Sequence, residues 1–385
     1  MNFELHEDQV QLRDSVTRLL ADNYSFEQRR AIAATAEGTS PAVWRQLCGL
    51  GVSGLRIAEE HGGFGGSAAD LAVVMQAFGQ ALLTEPFLAS AVLGATALSL
   101  SGDATSHALL PQVASGERTV AWASDEAAGR HAPCWVETRA TRTGGAWQLT
   151  GTKACVLNAP QANAFIVSAR VSGAPADAPG LGLFLVNAGS EGLGCRGYRL
   201  IDDTPAGDLE FNNVVAQPLG DPADPVSGGR VIEATRRAGM AAVCADAVGA
   251  MEGAYQLTVS YLNTRKQFGR LIGENQSLRH RVADMMVELE IARSMAMLAA
   301  SAIDDPASAE NEDLARAKFI IGRHGRTLCQ SAIQLHGGIG MTEEYAVGHY
   351  LRRITVIDQL FGDSANQISR LAGMLSTTTR PLETS

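Results

Sequence analysis

The spacing of apolar residues changes twice along the chain, near residues 119 and 228, and this constrains the fold most. Up to about residue 118, apolar side chains recur every three to four residues, as one helix face requires. From there to about residue 228 they alternate with polar residues or form short runs, as strands do. Helical spacing then returns. This order predicts an α+β fold with domains at residues 1–118, 119–228 and 229–385.

The first zone contains two well-marked helices with a glycine-rich loop between them. Ser40 as N-cap and proline at the first helical position predict a helix over 41–50. A second helix is predicted from Ala68 to about Leu83. The loop at His61–Ser67 has a helix–loop–helix context, which favours a structural turn over a phosphate-binding loop.

The other two zones contain the predicted strands and the longest helices. A hairpin is predicted around Gly144-Gly145, because apolar and polar residues alternate on both sides of this turn signal. Buried strands are predicted at 164–167 and 181–186. The last zone predicts helices over 230–262, 276–302, 309–336 and 356–375.

Composition and motif searches exclude several classes of protein. The 31 basic and 41 acidic residues give a net charge of −10, which disfavours general nucleic-acid binding. The sequence has no Rossmann or P-loop glycine pattern, no metal-ligand spacing and no CxxC pair. No metal site is therefore predicted. The acidic N-terminus lacks the features of a signal peptide, and the predicted location is the cytoplasm.

Two segments of the last zone carry residue types that suit a phosphate-bearing ligand. Arg265–Gly273 is a basic turn between two predicted helices, and arginine offers a fixed fork of donors that matches a pyrophosphate. Gln334–Thr342 has three glycines in four positions, which let the backbone approach a ligand closely. The alternatives are a solvated helix connection for the first segment and an elaborate helix C-cap for the second.

Three stretches of the chain carry a family resemblance: RKQFGRLIGENQSLRHRVADM from Arg265, QLHGGIGMTEEY from Gln334, and EEHGGFGGSAADLAVVMQAFGQAL from Glu59. They resemble the acyl-CoA dehydrogenase family, whose zoning matches essentially the whole chain. TEPFLASAVLG, from Thr84, is most similar to pimeloyl-CoA dehydrogenase small subunits and related partners in heteromeric enzymes. The resemblance implies an N-terminal helical domain, a central β-barrel or sandwich and a C-terminal four-helix bundle.

The resemblance also implies an activity. Members of this family use tightly bound FAD to oxidise an acyl-CoA thioester to the 2,3-enoyl-CoA. A carboxylate removes the α proton, a hydride passes from the β carbon to the flavin, and an electron-transfer flavoprotein reoxidises the flavin. The implied assembly is a homotetramer, or an α2β2 heterotetramer with a second subunit of the same family.

FAD-binding residues are implied by matching positions. Arg265, Gln267 and Phe268 match residues that reach the FAD of a neighbouring subunit. The adenosine pyrophosphate site is matched by Gln334, Gly337, Gly338 and Gly340, and further cofactor contacts by Gln367 and Ser124.

One departure from the family pattern concerns the catalytic base. Most relatives carry Tyr-Glu-Gly-Thr near the C-terminus, with glutamate as the base, whereas this chain has Leu-Phe-Gly-Asp at 360–363. Counting back from Gln367 places Asp363 at the glutamate position. The same aspartate suits a helix N-cap, and the two roles can coexist.

A second departure concerns the flavin-facing segments, which align with 123–130 and 155–158. Ser124 retains one hydroxyl, and Leu157 replaces another. The leading interpretation is an acyl-CoA dehydrogenase subunit with Asp363 as base. The alternatives are a non-catalytic subunit that supplies an FAD half-site to a partner, and an oxygen-using flavoenzyme similar to nitroalkane oxidase.

Overall fold

A computed structural model describes residues 5–132, 134–305 and 312–378 of the chain. The described residues belong to two compact units. The first consists of Met1–Gln9, Ala72–Leu82 and Met240–Ser385, and the second of Val10–Leu71 and Leu83–Gly239. Compactness does not test where one domain ends and the next begins, so the bounds 1–118, 119–228 and 229–385 stay a prediction.

Helices dominate both ends of the chain, and strands occupy the middle. The helices are α1 (Glu7–Asn23), α2 (Phe26–Ala33), α3 (Pro41–Gly49), α4 (Ala68–Ala81), α5 (Ala95–Ser101), α6 (Ala104–Ala114), α7 (Ser227–Thr264), α8 (Gln276–Asp304), α9 (Asp313–His336), α10 (Val347–Gln359) and α11 (Ser364–Thr378). The strands are β1 (Val120–Ala123), β2 (Arg139–Thr143), β3 (Ala146–Leu157), β4 (Ala164–Arg170), β5 (Leu181–Asn187), β6 (Leu193–Arg199), β7 (Pro205–Leu219), β8 (Lys266–Gln267) and β9 (Arg270–Leu271). This confirms the predicted α+β class.

Five strands of the second unit close into a ring, in the order β4, β5, β7, β3, β2 and back to β4. β1 extends it beside β4, and β6 extends it beside β7. The predicted hairpin is confirmed, because β2 and β3 pair antiparallel around Gly144-Gly145, from Arg139↔Thr150 to Thr143↔Ala146. Closure pairs strand edges that an open sheet leaves exposed.

β4 is buried on both faces, which explains its continuous apolar sequence. Phe165 and Val167 belong to one core cluster with residues of β1, β3, β5 and β7. Ala164 and Ile166 point to the opposite face, in a second cluster with residues of α5 and α6. The second unit therefore has two apolar layers that share this strand.

Helices α4 and α7 of the first unit approach so closely that only glycine fits at the crossing. A Cβ atom on Gly79 would lie 1.9 Å from the carbonyl oxygen of Asp246, and one on Gly249 would lie 1.9 Å from that of Gln76. Both distances are far below van der Waals contact. Backbone packs directly on backbone here, and any side chain would force the helices apart.

Most predicted helices are found, and one is wrong. Ser40 caps α3 as predicted, accepting a hydrogen bond from Val43 N at 3.3 Å. The predicted helix over 356–375 is interrupted: α10 ends at Gln359 and α11 begins at Ser364. Phe361 and Gly362 between them have positive φ angles of 60° and 99°. Residues 309–311 of another predicted helix lie outside the described residues.

The segment from Gly62 to Gly66 is a structural turn, as predicted. It follows a short 3₁₀ helix at Glu59–His61. A Cβ on Gly63 would lie 2.1 Å from the carbonyl oxygen of Ile57, so the chain here packs on itself. Among the described residues, no helix is long and apolar enough to cross a membrane.

The glycine crossing leads to a stability prediction. Gly249→Ala is expected to lower the free energy of unfolding by about 1–3 kcal/mol, because the new methyl group collides with the carbonyl oxygen of Gln76. Gly373→Ala is the matched control, because that helical glycine has open space where the Cβ would stand. It is expected to raise stability by about 0.5–1 kcal/mol. Urea unfolding measures both, and a Gly249→Ala protein as stable as the parent would contradict the prediction.

Candidate cofactor site and catalytic carboxylate

A short hairpin follows α7 and presents basic and aromatic side chains to solvent. β8 and β9 pair through Gln267↔Arg270. Phe268 and Gly269 form the turn, with φ angles of 52° and 82° that correspond to a type I′ hairpin turn. Phe268 is fully exposed, although a left-handed conformation costs a residue with a Cβ about 1–2 kcal/mol. No contact within the described chain offsets the cost of this exposure and strain. An exposed, strained residue of this kind is typical of one that contacts a ligand or another chain.

Arg265 lies at the base of this hairpin. Its backbone N–H donates to Tyr261 O at 2.9 Å, and its carbonyl oxygen accepts from Ile272 N at 3.0 Å. Its guanidinium is exposed and has no hydrogen-bond partner in the part of the chain that the structure describes. A guanidinium whose donors are all free is suited to bind an anionic ligand.

The glycine-rich segment forms a 3₁₀ turn at Gly337–Met341, directly after α9. Gly337 has a φ of 65°, and neither it nor Gly338 has any atom within 4 Å of where a Cβ would stand. Gly340 is buried, whereas Gln334 is exposed one turn earlier on α9. The predicted C-cap is confirmed, but open space above two successive glycines exceeds what a cap needs. This surface can receive a ligand in close contact with the backbone.

Aromatic stacking joins the end of α7 to the glycine turn. The His336 ring stacks on Tyr261 of α7 with 4.5 Å between ring centroids, and the ring of Tyr345 lies 5.1 Å from that of His336. His336 Nδ1 bonds with Ala332 O at 2.8 Å, whereas its buried Nε2 has no partner among the described residues. Burial lowers the pKa of His336, so the imidazole is neutral at pH 7. The glycine turn thus lies beside the last residues of α7, which lead into the hairpin.

The residues at this place fit a dinucleotide cofactor. Arg265 supplies a free positive charge, the glycine turn supplies approachable backbone, and His336, next to that turn, has a polar atom without a partner among the described residues. These are groups that a pyrophosphate and its attached sugars satisfy. Gln334 and Gln267 add exposed amide groups on the same two segments.

Asp363 begins α11 as its N-cap. Its Oδ1 accepts a hydrogen bond from Asn366 N at 2.8 Å, and its carbonyl oxygen accepts from Gln367 N at 2.9 Å. This confirms the cap role. Oδ2 has no hydrogen-bond partner within the described ranges, and the side chain is half-buried. One carboxylate oxygen is therefore fixed, and the other is available to take a proton.

Two buried side chains hold the turn before Asp363. Lys318 Nζ donates to Gly362 O at 3.3 Å. Gln367 Nε2 donates to Phe361 O at 3.0 Å and to Gly362 O at 3.1 Å. Gln367, matched above to a cofactor contact, is fully buried beneath this turn, and its Oε1 has no partner among the described residues. Its observed contacts are with the backbone of the turn.

Ser124 belongs to the second unit, at the end of β1, and is buried. The adjacent Asp125 O accepts a hydrogen bond from Ala154 N at 2.9 Å, which joins this segment to the end of β3. Cys155 follows with a φ of 53° at a bulge, and Leu157 ends the strand. The two segments predicted to face the flavin ring are therefore neighbours.

A buried ion pair supports the Ser124 segment. Lys153 Nζ donates to Glu126 Oε1 at 2.8 Å, to Ser168 Oγ at 2.9 Å and to Ser124 O at 3.1 Å. Glu126 in turn accepts from the backbone N–H groups of Glu137 at 2.6 Å and of residue 138 at 3.0 Å. All three ammonium protons have acceptors, so the charge is buried without a loss of hydrogen bonds.

The two buried lysines escaped sequence analysis, although the sequence contains a signal for each. Lys318 lies four residues after Leu314 and three before Ile321, so it falls on the apolar face of α9. Lys153 lies four residues after Leu149 in β3, on the inward face. A charged residue at an apolar position indicates a buried, partnered group.

Comparison with known proteins identifies the class of molecule in which these segments recur. Three family descriptions match consecutive parts of the chain: "Acyl-CoA dehydrogenase, N-terminal domain" over residues 6–117, "middle domain" over 121–214 and "C-terminal domain" over 227–375. The chain belongs to the acyl-CoA dehydrogenase family. It is an oxidoreductase of this FAD-dependent class, with a helical N-terminal part, a central β-barrel region and a helical C-terminal part.

Individual relatives agree with this assignment. "Probable acyl-CoA dehydrogenase YngJ" of Bacillus subtilis is 28% identical, over 96% of this chain and 98% of the relative. "L-prolyl-[peptidyl-carrier protein] dehydrogenase" of Pseudomonas fluorescens is 30% identical, over 80% and 83%. The solved ChsE4-ChsE5 complex from Mycobacterium tuberculosis is 26% identical, with a TM-score of 0.87 over 99% of this chain and 100% of that chain.

The buried ion pair beneath Ser124 leads to a stability prediction. Glu126→Gln is expected to lower the free energy of unfolding by about 3–5 kcal/mol, because the ammonium of Lys153 stays buried without its counter-ion. The double variant Glu126→Gln/Lys153→Met removes both charges, keeps an amide oxygen as an acceptor for the backbone N–H groups, and should be more stable than Glu126→Gln. Asp14→Asn, in an exposed pair with Arg13, should change stability by less than about 1 kcal/mol. A double variant no more stable than the single would contradict the prediction.

The same pair predicts a pH dependence. Burial raises the pKa of Glu126, but Lys153 and the backbone donors lower it more, so the folded-state pKa lies below the ordinary value of 4.5. Stability from a depressed carboxyl pKa is present above the ordinary value and is lost as pH falls through the folded-state pKa. The stability difference between the parent and Glu126→Gln, measured in urea, should therefore shrink between pH 7 and pH 3.

Proposed function

We propose that this chain oxidises an acyl-CoA thioester to the 2,3-enoyl-CoA, with Asp363 as the base that removes the α proton. The observation that supports this proposal most directly is the geometry of Asp363. Its Oδ1 is held by Asn366 N, and its Oδ2 is free of hydrogen bonds within the described residues. A carboxylate oriented through one oxygen can accept a proton at the other without changing its rotamer.

The electrons of the broken Cα–H bond form the new double bond as a hydride leaves the β carbon. Bound FAD supplies the acceptor for this hydride. Arg265, the glycine turn and Gln334 would hold the pyrophosphate end, and Gln267 and Phe268 would contact the cofactor from the hairpin. Ser124 would contact the flavin ring.

We further propose that the assembly contains more than one chain. Phe268 is fully exposed in a strained turn, and Arg265 beside it is unpaired within the described chain. Both features suit contact with the FAD of a neighbouring subunit. Either a homotetramer or an α2β2 heterotetramer supplies such a neighbour, and the ChsE4-ChsE5 structure is an example of a complex in this family. An electron-transfer flavoprotein is the proposed acceptor of electrons.

Asparagine at position 363 separates the two roles of this residue. Asp363→Asn keeps an N-capping side chain, so folding and FAD content should be unchanged. Loss of the base should slow flavin reduction by about 10²–10⁴-fold. The measurement is anaerobic bleaching of the flavin by a panel of acyl-CoA thioesters with straight, branched and ring-containing acyl groups.

Asp103→Asn is the matched control for this variant. Asp103 caps α6 by accepting from Thr105 N and Ser106 N, and it should tolerate the change without loss of bleaching. Undiminished bleaching in Asp363→Asn would remove Asp363 from the mechanism. A parent protein that turns over a small nitroalkane with O₂ but is not bleached by acyl-CoA would favour the oxidase alternative. A chain that purifies without flavin would favour the structural alternative.

The glycine turn predicts a binding defect without a folding defect. Gly338→Ala should leave the melting temperature unchanged, because nothing lies within 4 Å of the new methyl group. If the FAD pyrophosphate approaches this backbone, the methyl should weaken FAD binding about tenfold, or about 1.4 kcal/mol. Gly189→Ala is the matched control, because its added methyl also meets open space. Titration of apoprotein with FAD measures the effect, and equal affinities in both variants would exclude the glycine turn from the site.

A further inference from the structure

We propose that Lys318 is a positioning residue for the reaction: its buried side chain fixes the turn that presents Asp363. This inference rests on the proposed function, because it assigns a role relative to Asp363 as base. Lys318 does not touch the carboxylate by a hydrogen bond. It bonds instead to the backbone on both sides of the turn.

The contacts of Lys318 span the turn. Nζ donates to Asp358 O at 2.9 Å, in the last turn of α10, and to Gly362 O at 3.3 Å, one residue before Asp363. The lysine itself lies in the second turn of α9, which packs against α8, α10 and α11. A group on a central helix thus sets the distance between the end of one helix and the start of the next.

The turn needs such support because its own conformation is unfavourable. Phe361 has a left-handed φ of 60°, and Gly362 has a φ of 99°. The segment from α10 into α11 contains no proline. Without a tertiary contact to hold the turn, this segment would therefore continue as helix more readily than it would adopt a left-handed conformation at Phe361. The carbonyl oxygen of Gly362 accepts from both Lys318 Nζ and Gln367 Nε2, which occupy its two lone pairs. It therefore has no lone pair left for the helical hydrogen bond that continuation requires.

Side chains around the turn complete the network. Asp358 Oδ1 accepts from Ser364 Oγ at 2.6 Å, and Asp358 Oδ2 pairs with Arg326 at 2.9 Å. Gln367 Nε2 donates to the carbonyl oxygens of Phe361 and Gly362 in the turn. A Cβ on Gly322 would lie 2.4 Å from Asp358 Oδ1, so α9 is in close contact with the network as well.

Burial gives Lys318 a cost that its contacts must offset. Its side chain is 1% exposed, and burial lowers the pKa of the ammonium, whereas the nearby carboxylates of Asp358 and Asp363 raise it. The facing Cys244 is neutral, since burial raises its pKa to about 12. A methionine in this place would pack the helix without that cost. A charged donor here instead binds two carbonyl oxygens, which supports a role in shaping the turn.

The first test measures the turn itself and needs no substrate. In Lys318→Met, the backbone amides over 360–367 should exchange with deuterium at least tenfold faster, with FAD content unchanged. The matched control is Leu328→Ala, which removes a fully buried side chain from the same helix but no bond to the turn. It should leave protection at 360–367 unchanged. Equal protection of the turn in the parent and Lys318→Met would overturn the inference, whatever Asp363 does.

The second test asks whether the lysine acts through Asp363. Lys318→Met should slow anaerobic flavin bleaching by an acyl-CoA about 10–100-fold, since an ångström of misplacement can cost that much in rate. The concentration dependence of the same traces should show substrate affinity changed by less than about threefold. In an Asp363→Asn background, Lys318→Met should change the rate by less than about twofold, because the base it positions is gone.

The outcomes distinguish two failures. Full bleaching by Asp363→Asn refutes the proposed base, and the deuterium exchange result then still decides whether Lys318 fixes the turn. If Lys318→Met slows flavin bleaching by the same factor in the Asp363→Asn background as in the parent, the lysine acts elsewhere than through Asp363, and the inference is overturned. If Lys318→Met does not fold, Lys318→Gln, which keeps one shorter donor, should give partial losses of protection and rate. Unchanged values in that variant also overturn the inference.

Discussion

Burial of the Lys318 ammonium constrains how the first unit can fold. Removing such a charge from water costs several kcal/mol unless hydrogen bonds replace its hydration. Here the replacements are carbonyl oxygens at the end of α10 and in the turn before Asp363. The helix break between α10 and α11 and the solvation of the lysine therefore depend on each other. Where Asp363 stands follows from this long-range contact.

The second unit also contains a buried lysine that binds a backbone carbonyl oxygen. Lys153 is buried in the barrel, and one of its three acceptors is the carbonyl oxygen of Ser124. The other two are side chains, including Glu126, whose carboxylate also binds two backbone N–H groups. In each unit, a buried ammonium binds the backbone beside a residue that family resemblance assigned to the site. Local sequence at these loops does not define their shape alone, because the lysines that bind their carbonyl oxygens lie 29 and 44 residues away along the chain.

This explains what sequence could and could not predict. Hydrophobic spacing predicted the α–β–α order, the hairpin around Gly144-Gly145 and the long α7, since these depend on local pattern and burial. The same pattern predicted one helix over 356–375, where the chain breaks. The range 356–375 has no proline, and its two glycines, Gly362 and Gly373, would each cost a helix only about 1 kcal/mol. The broken conformation is held by Lys318, 44 positions before Gly362, together with Gln367.

The site shows the same division between local and tertiary causes. The cap role of Asp363 follows from its residue type and position, and the structure confirms it. Whether Oδ2 of Asp363 has a hydrogen-bond partner depends on the groups that surround it in the folded unit. The spacing of residues in the sequence does not define these groups. The hairpin differs again: Phe268 is exposed and strained, so its conformation lowers the stability of the isolated chain. A side chain placed at such a cost and paired with nothing in the described chain is best explained by contact with a ligand or a second subunit.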